Sequence, residues 1–326
     1  MTRYLFRRLM FFGLTLLFTS IIIFGLTRIL PGDVCSIKLG GVEATTEALQ
    51  ECERNLGLDA PLYIQYAEWI TRFVQGDWGN SFVGEEKPIF PEIEQRLANS
   101  GRLAGLTLAI AVPISILLGV VAGLNENKLA DNIISVLTLS FVSLPEFVTS
   151  ILLINFVALQ WAPNWEWLPF EIRGTATDFE PSMTLWESLP YLILPAIAAT
   201  LVLLGYITRL TRAGVIEELK RDYVRTAELK GLPYWKVIVK HVLRNALIPT
   251  VTVIAISIGW LMSGLVVIEW IFNYDGIGSY LIYGVESRDL PRIQAIVMVT
   301  VMIFLVMNLI ADLLYAYLDP RIRYSE

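Results

Sequence analysis

Six long apolar runs divide this sequence, separated by polar stretches of unequal length. They lie at Leu9–Leu30, Ala104–Leu124, Ile133–Trp161, Leu189–Ile207, Leu247–Phe272 and Ile293–Leu318. A helix needs about 20 apolar residues to cross a bilayer, so each run predicts one spanning helix. After the first run, Glu47–Asn55 and Tyr63–Phe73 predict two short helices. Between the fourth and fifth runs the pattern turns amphipathic. A polar helix is expected up to Lys230, where Gly231 ends it, and Pro233 starts the next. In that second helix Trp235, Ile238, Val239, Val242 and Ala246 fall on one face. Lys236, Lys240 and Arg244 form a basic stripe on another.

Composition agrees with a membrane protein. Apolar residues make up 55% of the chain and charged residues only 17%, against about 25% charged in soluble domains. The mean hydropathy is +0.58. The first run is too long for a removed signal peptide and lacks a small-residue cleavage site. Charge then assigns the sides. Arg3, Arg7 and Arg8 precede the first run, and Arg321 and Arg323 follow the last, so both termini are expected in the cytoplasm. Residues 31–100 carry twelve acidic and five basic side chains, net −7, which suits the outside. Residues 209–244 carry nine basic and four acidic ones, net +5, which suits the cytoplasm. The overall charge of −6 comes mainly from the outer loops and implies no nucleic-acid partner.

Polar residues inside or beside the apolar runs are the candidates for function. The second run holds Pro113, the fourth Pro190 and Pro195, and the third Ser143-Leu144-Pro145-Glu146-Phe147. Mid-span prolines kink helices and free carbonyls. Glu146 has two readings, a carboxylate at membrane depth on a translocation path or one near the interface. Glu269 stands at the end of the fifth run, before a Gly-rich turn over Asn273–Gly278. Asn308 and Asp312 are one turn apart on one face of the last run, with two readings, a pairing with Arg209 or Arg212 and a simple interface role. Trp161, Trp165 and Trp167 suit an interfacial belt. Cys35 and Cys52 lie on the side where a disulfide is permitted; a bond and two free thiols both remain open. No GxxxxGK[ST] loop, GxSxG, HExxH or metal-ligand cluster occurs, and His241 is the one histidine. ATP binding by this chain, and enzymatic chemistry, are therefore disfavoured.

Several ordered stretches resemble the permease subunits of ABC importers, in the dipeptide, oligopeptide and nickel branch. Arg225-Thr226-Ala227 followed by Gly231 resembles the family's "EAA, three residues, Gly" loop, though only Ala227 and Gly231 agree strictly. Leu232 and Leu243 also belong to that loop, and His241–Pro249 follows the branch's variant. Arg28–Asp33, Leu56–Phe82, Glu269–Gly278, Arg288–Pro291 and Asn308–Arg321 resemble further stretches in the same order. Glu146 stands where the family has a small residue, and Asp275 where it has proline.

The resemblance implies an all-α membrane protein with the fold of a type I importer transmembrane domain. Residues 1–33 would form an N-terminal spanning helix and 34–100 a small extracytoplasmic segment. Residues 101–318 would form the transport core, with a coupling loop at 213–246, and 319–326 a cytoplasmic tail. It further implies ATPase coupling through Arg225, Thr226, Ala227, Gly231, Leu232 and Leu243. The path or gate would involve Glu146, Glu269, Asn308 and Asp312. Expected partners are a second homologous permease subunit, two P-loop ATPases that bind ATP and magnesium, an extracytoplasmic solute-binding protein and the lipid membrane. No cofactor is expected on this chain. The expected cargo is peptides or similar small solutes. The competing reading is an ion-coupled secondary transporter without ATPases, which calls for internal repeats and discontinuous helices around an ion site. No repeat is evident.

Overall fold

A computed structural model describes residues 2–29, 35, 45–55, 57–83, 86–165 and 167–318. Pro31-Gly32-Asp33, Arg321 and Arg323 lie outside the described residues. Those described are almost wholly helical. Five helices are long and apolar enough to cross a membrane, or six if one bent pair counts as a single span.

The first helix, α1 (Thr2–Ile29), lies antiparallel to the last, α13 (Leu290–Leu318). Arg8 pairs with Asp312 at 2.9 Å at one end. Gln294 donates to Thr27 Oγ1 at 2.6 Å near the other. The remaining faces of α1 present Phe11, Leu14, Phe18, Ile21, Ile22 and Leu26 outward. Such an apolar exterior is stable only against lipid or protein. The two short helices appear as expected, α2 at Thr46–Asn55 and α3 at Leu62–Val74. Cys52 on α2 is joined to Cys35 by a disulfide. An aromatic chain fastens α3 to the bundle: Trp69 meets Phe24 of α1, Phe73 meets Trp78, and Trp78 meets Phe90, with centroids 4.8–5.8 Å apart. Each such pair contributes about 0.5–1.5 kcal/mol beyond its burial.

The centre is built on α4 (Ile89–Leu124) and α7 (Leu185–Leu219). Both exceed their apolar runs. Helix α4 starts fifteen residues before Ala104, inside the stretch expected as an outer segment, because Ile89 and Ile93 continue a buried stripe. Helix α7 runs past Arg209 and Arg212 because Thr208, Thr211 and Val215 stay buried. The two helices run parallel in a constant register. Thr200 donates to the Thr107 carbonyl at 3.4 Å and Thr208 to that of Ser115 at 3.3 Å. Further along, a side chain at Gly119 would overlap Thr211, and one at Gly123 would overlap Val215. Close backbone approach through small residues is how helices associate where lipid removes the hydrophobic drive.

The prolines act differently from one another. Helix α4 continues through Pro113, and α7 through Pro190 and Pro195. Pro145 instead splits the third run, correcting the single span expected there. Leu144 is extended, at ψ 130, as the residue before a proline prefers. The result is α5 (Leu129–Ser143) and a separate α6 (Glu146–Asn164) that includes a long π-helical stretch, Leu153–Trp161. Helix α5 crosses back along α7, with Val142 against Gly205 and Asp131 against Arg212.

The coupling segment forms α8 (Asp222–Leu229) and α9 (Tyr234–Ala246). Then α10 (Ile248–Gly264) turns off α9 by 51° and climbs back along α4, where Met262 meets Gly101. Two short helices, α11 (Val266–Ile271) and α12 (Ile277–Glu286), form a hairpin before α13. The bundle thus has two ends, a hairpin end and a coupling-segment end.

Two outcomes test this packing. A side chain at position 214 would run into the carbonyl of Ala246, so Gly214→Leu should cost about 1–3 kcal/mol and lower the midpoint of thermal unfolding in detergent. Alkylation of unreduced protein should label neither Cys35 nor Cys52; full labelling without reductant contradicts the bond.

Candidate functional sites at the two ends of the bundle

At the coupling end, α8 and α9 pack on α7 through Val215, Val224, Ala227, Val237, Ile238, Val242 and Ala246. The turn between them is set by Gly231, whose φ of +75 suits glycine. The Gly231 N–H donates to the Glu228 carbonyl at 2.9 Å, and that of Leu232 to Ala227 at 3.3 Å. This is the paired bonding of a Schellman motif, and Leu232 closes it by packing on the same cluster.

Of the six expected coupling residues, Ala227 is buried, and Leu232 and Leu243 pack against the cluster. Arg225 and Thr226 are exposed and Gly231 makes the turn. The expected apolar face of α9 needs correction. Ile238, Val242 and Ala246 are buried, but Trp235 and Val239 face outward, and Val237 takes an inward place. The reason is a π-helical turn over Ile238–Val242. It brings residues five apart, Val237 and Val242, onto one line and turns Trp235 and Val239 away. Lys236, Lys240 and Arg244 are exposed as a stripe.

Tyr223 holds this piece to α7 and was not singled out by its pattern. Its hydroxyl donates to Glu218 at 2.5 Å and receives Asn245 Nδ2 at 3.4 Å. Burial and the Glu218 carboxylate both push the Tyr223 phenol up from its ordinary value, so it stays a neutral donor. Close by, Arg212 grips Asp131 with two bonds of 2.5 and 2.7 Å. Asp131 also accepts from the Asn127 N–H at 2.9 Å. The expected pairing of Asn308 and Asp312 with Arg209 or Arg212 is therefore not formed. Arg212 is engaged by Asp131, and Asp312 by Arg8. Asn308 is half-buried and Arg209 exposed.

At the hairpin end, Glu269 is wholly buried. Its Oε1 accepts from Ser100 Oγ at 2.6 Å, and its Oε2 from the backbone N–H groups of Gly278 at 2.7 Å and Ser279 at 3.3 Å. Ser100 in turn accepts from the Ile277 N–H at 2.9 Å. The carboxylate thus caps the free N–H groups that begin α12. Gly276 and Gly278 are required by this contact, since a side chain at either would meet the Glu269 carboxylate. Tyr274 donates to the Asn99 carbonyl at 2.8 Å, and Asn99 to that of Asp275 at 2.8 Å. Arg96 pairs with Asp275 at 3.0 Å. A second knot ties Ser81 to Asp289 at 2.5 Å and Arg292 to Ser81 at 3.0 Å. Glu269 therefore fastens the hairpin to α4 in this conformation.

Glu146 is elsewhere. It is half-buried and lines a cavity of about 420 Å³ with Val142, Leu144, Pro145, Phe147, Val202, Tyr206 and Val267. Glu146 and Glu269 do not share a site, one facing this cavity and the other enclosed among backbone donors.

Two family descriptions match the chain. "Binding-protein-dependent transport system inner membrane component" matches residues 115–324, and its N-terminal companion matches residues 1–98. A dipeptide transport system permease protein of Alkalihalophilus pseudofirmus is 34% identical over 341 residues, covering 99% of this chain and 100% of the relative. A glutathione transport system permease protein of Escherichia coli K12 is 34% identical over 325 residues, covering all of both.

Loss of the Glu269 carboxylate strands Ser100 and two backbone N–H groups. At about 1–3 kcal/mol for each buried unsatisfied group, Glu269→Ala should lower unfolding stability by at least about 3 kcal/mol, whereas Glu269→Gln, which keeps an acceptor oxygen, should lower it less. Denaturant unfolding of the purified variants measures the difference.

Proposed function

This chain belongs to the binding-protein-dependent transport system inner membrane components of ABC importers, and we propose that it is one of two permease halves of an ATP-driven peptide importer. A second homologous permease would complete the pathway. Two P-loop ATPases, holding ATP and magnesium, dock on the coupling segment. A solute-binding protein delivers peptides or similar small solutes at the hairpin end. Both termini lie in the cytoplasm, and no cofactor resides on this chain.

The observation that carries this reading is the surface of the coupling segment. Leu229 is 81% exposed and Trp235 68% exposed, with Tyr234 and Val239 beside them. Lys230, Lys236, Lys240 and Arg244 border this apolar patch. Large apolar side chains ringed by cations, on a turn pinned from beneath, make a surface suited to a partner protein. ATPase closure pushes on α8 and α9. The push passes through Tyr223, Gly214 and the Ala246 carbonyl into α7, and from there along its seam with α4 to the hairpin. Reversal of which end is open moves solute across by alternating access. Glu146 lines the path in this reading, while Glu269 fixes the outer hairpin.

Co-purification in mild detergent should bring down a second permease and two P-loop ATPases. A chain that transports alone in liposomes without ATP overturns the proposal. Trp235→Ala removes an exposed side chain, so the unfolding midpoint should hold while substrate-stimulated ATP hydrolysis falls about tenfold, a loss near 1.4 kcal/mol. Gly231→Trp should also uncouple hydrolysis from uptake, because a non-glycine residue is strained at this φ. Normal uptake by both variants removes the docking role.

A further inference from the structure

A cavity of about 400 Å³ opens at the hairpin end, between α1, α3, the turn at residues 77–82 and the start of α13. It is separate from the coupling surface and from the Glu146 cavity. Among the described residues, two polar atoms on its wall are buried without a hydrogen-bond partner, Arg28 Nε and Gln65 Oε1. Buried polar atoms are otherwise almost always paired, so such orphans mark a missing partner.

The orientation of Gln65 is fixed by its surroundings. Its nitrogen donates to the carbonyls of Leu58 at 3.0 Å and Ala60 at 2.7 Å. Both acceptors are carbonyls, so the amide nitrogen must face them and the oxygen is left for another donor. Gln65 is itself 91% buried, at 9% relative exposure. The cavity therefore asks for two opposite things at once. Gln65 Oε1 wants an N–H donor, and Arg28 Nε wants an acceptor. The rest of the wall repeats this duality, with Arg72 on one side of the charge balance and Glu68, Asp77 and Glu86 on the other. Among the described residues the lining thus carries charges of both signs, three carboxylates and two guanidinium groups, and a zwitterion fits it.

The position selects the source of that zwitterion. Arg28 ends α1, just beyond the outward apolar residues Phe18, Ile21, Ile22 and Leu26. Trp69 and Trp78 line the same cavity. Arginine and tryptophan at the end of a span mark headgroup depth. A molecule whose polar part enters the cavity has apolar protein surface for its tails on α1.

We propose that this cavity binds the phosphoethanolamine headgroup of a membrane phospholipid, the phosphate on Arg28 and the ammonium on Gln65 Oε1 and the neighbouring carboxylates. The inference is independent of the importer reading, because it needs only a membrane-spanning α1.

The test is native mass spectrometry of the delipidated, detergent-purified protein. It is titrated with dioleoyl phosphatidylethanolamine, dioleoyl phosphatidylglycerol or glycerophosphoethanolamine. Phosphatidylethanolamine should be retained about tenfold more strongly than phosphatidylglycerol. Arg28→Met and Gln65→Met should each lower that retention about tenfold. Gln65→Met also strips two bonds to the backbone, so the Arg28 variant decides if the Gln65 variant melts early. Brominated phosphatidylethanolamine should quench Trp69 and Trp78 in the wild type and less in Arg28→Met. Equal retention of both lipids, or undiminished binding to the Arg28 variant, overturns the proposal. Displacement of the lipid by an equal concentration of glycerophosphoethanolamine overturns the lipid source and points to a soluble zwitterion.

Discussion

The parallel seam of α4 and α7 is the constraint on which the rest of the structure depends. Its contacts are threonine hydroxyls on carbonyls and glycines under side chains. In hydrocarbon these short-range contacts must do what water expulsion does in a soluble core. Both helices run the full depth of the bundle, so each end is built on them. At one end α4 supplies Arg96, Asn99 and Ser100 to the hairpin. At the other α7 supplies Gly214, Val215 and Arg212 to α9 and α5. Neither end has a scaffold of its own.

Around this seam, polar residues are spent in two ways. Two enclosed carboxylates collect several donors each, Glu269 from Ser100 and the Gly278 and Ser279 N–H groups, and Asp131 from Arg212 and the Asn127 N–H. They act as fasteners with definite partners. The exposed set on α8 and α9 sits on a rigid turn. The contrast separates what holds the fold from what is presented outward, and it moves Glu269 into the first group.

Much of this was legible in the chain. Long apolar runs announced the spans because a bilayer leaves no other use for them. Gly231 announced its turn because a left-handed residue at a helix end is where glycine has the advantage. Proline was the ambiguous letter. Pro195 lies between Leu194 and Ala196, both enclosed, and α7 continues through it. Leu144 and Pro145 are exposed, and nothing opposes the break there. The outcome is decided by packing that no local pattern carries. Ion-pair partners were hidden for a similar reason. Asp131 and Arg212 are 81 positions apart, and only the antiparallel return of α5 along α7 brings them together. The π-helical turn in α9 left no mark at all, so the face it redirected was misassigned at Trp235 and Val239.

The register of that seam also governs which changes of length the chain tolerates. Partners on α4 and α7 stay 92 or 93 positions apart from Thr107 with Thr200 to Gly123 with Val215. The numbering offset is absorbed entirely by the connecting loops and by α5 and α6. A residue gained or lost in a surface loop between them leaves every contact in place. The same event inside either helix swings all that follows by about 100° and displaces it by about 1.5 Å, carrying glycines out from under their side chains. Length variation among kindred sequences should therefore gather in the loops on either side of α5 and α6 and stop abruptly at Gly123 and Thr200.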